Sequence, residues 1–127
     1  MKATVVLAAT LALAPAAAAA RPGGFHADGV RCAVGLRLGG LVCASPAIRR
    51  WQYDGRGVVR VLPDGRVRVH RSGSDVLLAV DDAASRPLRV AATWRRDGYA
   101  CASLAGGVVC ARRGHGFFLS ARVFRRF

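Results

Sequence analysis

The sequence predicts an all-β fold, a small disulfide-stapled barrel or sandwich of antiparallel hairpins. Three observations lead there. The four cysteines fall in two matching segments, each with a Gly-Gly step between apolar flanks. The stretch VVRVLPDGRVRVH alternates valine with polar residues on both sides of a Pro-Asp-Gly turn. No long amphipathic pattern recurs at helical spacing anywhere in the chain.

The N-terminal segment is read separately. Met1-Lys2 precedes the apolar run ATVVLAATLALAPAAAAA, and Ala18 and Ala20 supply an A-x-A pattern. Residues 1–20 are therefore expected to be a signal peptide cleaved before Arg21. Pro15 and the weak hydropathy of an alanine-rich run argue against a retained membrane anchor. The remainder, 21–127, is expected to be a single mature β domain that builds one modest core. It contains no second apolar span, so no transmembrane segment is expected after cleavage, and the localisation expected is secreted or periplasmic.

Charge is lopsided. The twenty basic side chains are Lys2 and nineteen arginines, against seven aspartates and no glutamate. Removing residues 1–20 lowers the net charge from +13 to +12, since Lys2 leaves with them. A field this positive favours polyanions, which outside the cytoplasm means lipopolysaccharide, wall polymers, nucleic acid or acidic glycans. Specific nucleic-acid binding is not expected: Trp51, Tyr53, Trp94 and Tyr99 would be needed to stack bases, and none interleaves with the densest arginines.

Cys32, Cys43, Cys101 and Cys110 form an even set in a small exported chain, which implies two disulfides. GVRCAVGLRLGGLVCA (29–44) and GYACASLAGGVVCA (98–111) share an order: Gly, two residues, Cys-Ala, a variable stretch, Gly-Gly, an apolar pair, Cys-Ala. The pattern suggests either an internal duplication or one local solution reached twice. Each segment reads as a hairpin turning at Gly39-Gly40 or Gly106-Gly107, closed by its own pair, Cys32–Cys43 and Cys101–Cys110. A zinc site is disfavoured, because metal-binding cysteines come two to four residues apart with matching histidines. No C-x-x-C motif is present for thiol chemistry.

Residues 58–70 form the clearest hairpin. Pro63 presets φ, Asp64 caps, and Gly65 takes the left-handed position. A three-residue loop pairs Leu62 with Arg66, Val61 with Val67, Arg60 with Arg68 and Val59 with Val69. The valines then share the buried face, while Arg60, Arg66, Arg68 and His70 line the other, a candidate anion-binding strip. Asp75, Asp81 or Asp82 are candidates to offset it.

The remaining segments are read in order. DVLLAV (75–80) suggests a central strand, DDAASRP (81–87) a polar loop, and LRVAATW (88–94) a strand leading to a turn at RRDG (95–98). IRRWQYDGRG (48–57) is turn-rich. Ser120 is expected to cap one helical turn over Ala121–Phe124, with Phe124 and Phe127 tucked inward.

His115 stands between Gly114 and Gly116, and a structural turn is expected there, with the imidazole packed and hydrogen-bonded to a carbonyl. Catalysis would require Ser120 or Ser103 and Asp97 around His115, and no serine lies in a nucleophile elbow. A mononuclear metal would need His26, His70 and His115 to converge. The chain is therefore read as carrying no catalytic residues, no metal and no cofactor, and as not an enzyme.

The run YACASLAGGVVCARRGHGFFLSARVFRRF (99–127) resembles the C-terminal signature of a family of small exported bacterial proteins of unknown function. The pattern is aromatic-x-Cys, Gly-Val-x-Cys, then Gly-His-Gly-Phe-x-Leu-Ser and an aromatic-rich end. It falls on Tyr99, Cys101, Gly107, Val108, Cys110, Gly114, His115, Gly116, Phe117, Leu119, Ser120, Phe124 and Phe127. Upstream, Phe25, Gly29 and Cys32 fit the family's opening, but HADG replaces its usual Ser-Pro-Ser-Gly-Asn. The resemblance implies an exported, disulfide-containing domain and carries no activity. The functional expectation is a domain that binds acidic envelope polymers through its arginine face. The alternative is a protein-interaction or inhibitor module of the cell envelope, anchored by Trp51 or Trp94.

Overall fold

Two Asp-Gly steps start the two halves of the molecule. Asp28-Gly29 has φ of 48° and 81°, and Asp97-Gly98 has 55° and 86°. Paired positive φ values are what a two-residue hairpin needs to match strand twist, and aspartate followed by glycine tolerates them. The computed structural model describes residues 22–48 and 57–127. The expected signal peptide and most of IRRWQYDGRG, with Trp51 and Tyr53, lie outside the described residues.

From the first turn grows an antiparallel meander of β1 (Gly23–Ala27), β2 (Val30–Val34), β3 (Leu41–Ala44), β4 (Gly57–Val61) and β5 (Val67–Arg71), in that spatial order. A helix, α1 (Ser74–Ala83), follows. The second meander comprises β6 (Thr93–Arg96), β7 (Tyr99–Leu104), β8 (Gly107–Arg112), β9 (His115–Leu119) and β10 (Phe124–Arg126). The fold is thus a sandwich of two open antiparallel sheets and not a closed barrel.

The correspondence seen in the cysteine segments extends through the strand order of both sheets. Cys32 lies opposite Cys43, and Cys101 opposite Cys110. On one side of these pairs, Phe25 opposes Cys32 as Trp94 opposes Cys101. On the other, Val59 opposes Cys43 as Phe117 opposes Cys110. The two equivalent aromatics, Phe25 and Trp94, meet with ring centroids 5.2 Å apart.

Both expected disulfides are present, Cys32–Cys43 and Cys101–Cys110, each spanning a Cα–Cα distance of 4.1 Å. All four cysteines are buried on the inner faces, with Phe25, Val30, Leu41, Val59, Val61, Val108, Phe117 and Leu119. The two bridges touch: the sulfurs of Cys32, Cys43 and Cys110 all lie within 4.8 Å of one another. Period-two alternation sends Ala33, Val42 and Val58 to the outer face of the first sheet, where Leu77 and Val80 of α1 bury them. The architecture is therefore helix on sheet on sheet.

Three readings change. DVLLAV is helix, not strand. Its apolar residues recur as Val76, Leu77, Val80 and Ala83, a helical stripe too short to stand out by itself. Strand conformation would have left the outer face of the first sheet uncovered. LRVAATW contributes only Thr93 and Trp94 to β6, and the RRDG turn contracts to Asp97-Gly98, since Arg95 and Arg96 pair with Ala100 and Tyr99. Ser120 does cap, with Oγ accepting from the N–H groups of Arg122 (3.1 Å) and Val123 (2.9 Å). It closes a tight turn into β10, not a helix; Phe124 packs inward, whereas Phe127 is 58% exposed.

Gly116 is a strand residue whose missing Cβ matters sterically: a methyl group there would collide with the carbonyl oxygen of Cys110. Gly116→Ala is expected to cost about 1–3 kcal/mol, as overpacking does. Gly106→Ala, where a Cβ would meet nothing within 4 Å, should stay within about 0.5 kcal/mol. Urea unfolding followed by far-UV circular dichroism separates the two. Replacing Cys32 and Cys43 together by alanine should lower the unfolding free energy by about 3 kcal/mol, the chain-entropy value for so short a loop, seen as a lower midpoint in the same titration.

Candidate functional site

The Pro-Asp-Gly hairpin forms in the expected register, with Arg60 opposite Arg68, Val59 opposite Val69 and Val61 opposite Val67. The Leu62 N–H donates to the Arg66 carbonyl at 2.8 Å. Val59 and Val61 are fully buried, and Val67 and Val69 half-buried against the same core. The opposite face carries the charges. Along β5 runs an open groove of about 870 Å³, lined by Leu38, Arg60, Arg66, Val67, Arg68, Val69, His70, His115, Arg126 and Phe127. The structure thus brings all four predicted anion-binding residues together and adds three from the second sheet.

Partners are scarce in this groove. Arg60 Nε and His70 Nε2 are buried, and neither has a hydrogen-bond partner among the described residues. His70 Nδ1 lies 3.1 Å from the Arg71 carbonyl oxygen. A carbonyl only accepts, so Nδ1 carries a proton, and Nε2 becomes a second donor when the ring is an imidazolium. Arg60 and Arg68 face each other across the strands, a like-charged pair that opposes folding by a few tenths of a kcal/mol.

The counterion comes from the turn itself. Asp64 Oδ2 accepts from Arg66 Nε at 2.7 Å and Oδ1 accepts from the Arg66 backbone N–H at 3.0 Å. That backbone bond, helped by the Arg66 side chain, holds the Asp64 carboxyl below its ordinary range. Of the aspartates expected to offset the strip, Asp81 pairs instead with Arg31 at 3.2 Å, on the side of the sheet covered by α1.

Arg112 positions the two walls. Its Nε donates to the Pro63 carbonyl at 2.7 Å and its Nη1 to the Asp97 carbonyl at 2.6 Å. The guanidinium lies 4.7 Å from the centroid of Tyr99, a cation–π contact. Burial pushes the Tyr99 phenol up, with Arg112 pulling the other way. One side chain thereby ties the Pro-Asp-Gly turn of the first sheet to the Asp-Gly turn of the second. Sequence reasoning missed Arg112, because its two carbonyl partners lie 49 and 15 residues away in the chain. Arg126 adds a second tie, Nη1 donating to the Val67 carbonyl at 3.3 Å.

The Gly-His-Gly segment divides differently from the expected turn. Arg113 and Gly114, at φ 55° and 81°, make the β8–β9 turn, while His115 and Gly116 belong to β9. His115 is exposed at the groove's rim and forms no hydrogen bond among the described residues, in place of the packed, hydrogen-bonded imidazole anticipated. Its Cδ2 would lie 3.6 Å from a Cβ on Gly65, so the two turns abut.

No hydrogen bond among the described residues joins His115 to a serine or aspartate. Ser120 Oγ serves its turn, and Ser103 Oγ is buried without a partner. His26 Nδ1 is 2.8 Å from the Ala84 carbonyl, away from the groove that holds His70 and His115. The clustered sulfurs are all in disulfides and offer no thiolate to a metal. Trp94 is half-buried against Phe25, and Tyr99 is buried.

No family model, curated protein or solved structure matches this chain.

Arg60→Leu, in buffer without polyanion, is expected to raise the thermal midpoint, since it removes a buried unpaired donor and a like-charge contact together worth roughly 1 kcal/mol. Arg112→Ala should lower it by about 1.5–3 kcal/mol equivalent through two lost charge-assisted bonds. Calorimetry of the two variants side by side measures both.

Proposed function

We propose that this chain is an exported, non-enzymatic domain that holds acidic envelope polymers in the groove along β5. The observation that carries the reading is the pair of buried groups without hydrogen-bond partners among the described residues, Arg60 Nε and His70 Nε2, beside Arg68. A buried polar atom without a partner costs about 1–3 kcal/mol. At Arg60 an anionic oxygen recovers that cost, and arginine's planar fork fits phosphate, sulfate and carboxylate alike. Two arginines held opposite each other repel until an anion lies between them.

Further support comes from the sequence. The net charge of +13 raises the local concentration of any polyanion. The leader-like first twenty residues and the C-terminal resemblance to small exported bacterial proteins support an exported location, where such polymers occur. Two disulfides suit an oxidising compartment. Selectivity among polymers is low by construction, because an open groove of arginines reads charge spacing and not monomer identity.

Retention on immobilised polyphosphate across a salt gradient tests this. The natural protein should elute later than a variant with Arg60, Arg66 and Arg68 changed to serine, whose affinity drops about ten-fold, or 1.4 kcal/mol. A charge-matched control with Arg86, Arg89 and Arg122 changed to serine should lose much less. Equal losses in the two variants would mean that net charge alone does the binding.

A further inference from the structure

The two meanders correspond strand for strand, yet among the described residues only one has its outer face covered. In the first sheet that face is Ala33, Val42 and Val58, buried beneath Leu77 and Val80 of α1. The disulfide registers map Ala33 onto Ala102 and Val42 onto Val109. In the second sheet these residues, with Ala100 and Ala111, remain half-buried around a shallow depression of about 200 Å³, and Phe118, opposite Val109, is half-buried too. No element among the described residues lies over it.

The rim differs from the centre in charge. Arg95 on β6 pairs with Ala100, and Arg125 on β10 pairs with Phe118, so an arginine stands on either side of the apolar patch. Neither side chain forms a hydrogen bond or ion pair among the described residues. The covered sheet shows what such a face accepts. There α1 inserts two apolar side chains at i and i+3, and its next residue, Asp81, reaches Arg31 at the edge of the patch.

The geometry points to the outer face of the second sheet as a docking site for an acidic amphipathic helix of a partner protein. The helix carries aliphatic residues at i and i+3 and an aspartate or glutamate beside them. Charge complementarity selects this occupant. Two copies of the face brought together would set arginine rims of two +13 chains against each other. The α1 helix of a second copy has its own Leu77 and Val80 already buried. An apolar centre of alanines admits close approach of a helix, and a buried apolar core with a charged rim is how specific interfaces are built.

The probe is a fluorescent peptide of residues 73–84, crosslinked between the solvent-facing positions 78 and 82 to hold it helical, titrated with the full oxidised chain. The protein's own α1 remains on the first sheet, where it is tethered. Saturable binding in the micromolar range is expected, weakened about ten-fold by Ala102→Gln with Val109→Gln. Both positions point outward, and far-UV circular dichroism checks that the variant folds. Changing Leu77 and Val80 of the peptide to serine should abolish binding, and Arg60, Arg66 and Arg68 to serine in the protein should leave it intact. No saturation by about 1 mM, no effect of the Ala102/Val109 variant, or loss of binding in the groove variant would each overturn the assignment. So would a concentration-dependent dimer that the Ala102/Val109 variant abolishes, since a second copy would then own the face. The salt-dependent polyanion test reports on the groove alone, so failure there leaves this result interpretable.

Discussion

Two cross-strand disulfides meet between two short-stranded sheets, and the geometry of the rest follows from that contact. A chain of this size gains limited stability from apolar burial, and its strands run only three to six residues. Each meander has two faces and open edges, so nothing intrinsic to it decides which face is inner. A cystine joining directly opposed residues removes the choice. With Cys32 locked opposite Cys43, a one-residue slip would send every neighbouring side chain to the wrong face. Phe25, Val59 and Val61 are inward because the cysteines are, and Arg60 and Arg68 are outward for the same reason.

The repeated frame makes the differences between the halves informative. Inner positions are mostly apolar in both sheets, with Val34 replaced by Ser103 as an exception that buries an unpartnered hydroxyl. Outer positions diverge freely: Arg60 in the first sheet corresponds to Phe118 in the second. A shared core with divergent outer faces lets one scaffold carry two surfaces of opposite character, a cationic groove and an apolar face rimmed by arginine.

The groove also departs from what stability alone would select. Opposed arginines, and a buried guanidinium nitrogen and a buried imidazole nitrogen without partners among the described residues, each work against folding. Asp64 relieves only Arg66, and it does so as part of its turn. Local rules broken without compensation among the described residues are expected at functional or strained sites. Arg112, by contrast, is fully engaged and holds the turns that frame the groove.

Much of this was legible in the chain itself. The cysteine pairing followed from two similar glycine-centred segments, and the register of the arginine hairpin from Pro63-Asp64-Gly65, because turn chemistry and period-two alternation are local. The sequence by itself therefore determined the β class, the two disulfides and the set Arg60, Arg66, Arg68 and His70. Only the tertiary structure decided that 74–83 is a helix, since its short stripe gains meaning from the outer face of the sheet it covers. The same holds for His115 and Arg126 joining the groove, for Arg112 spanning both turns, and for the second sheet's outer face staying open. Those outcomes depend on contacts between residues far apart in sequence, and a local pattern carries no information about what will lie across from it.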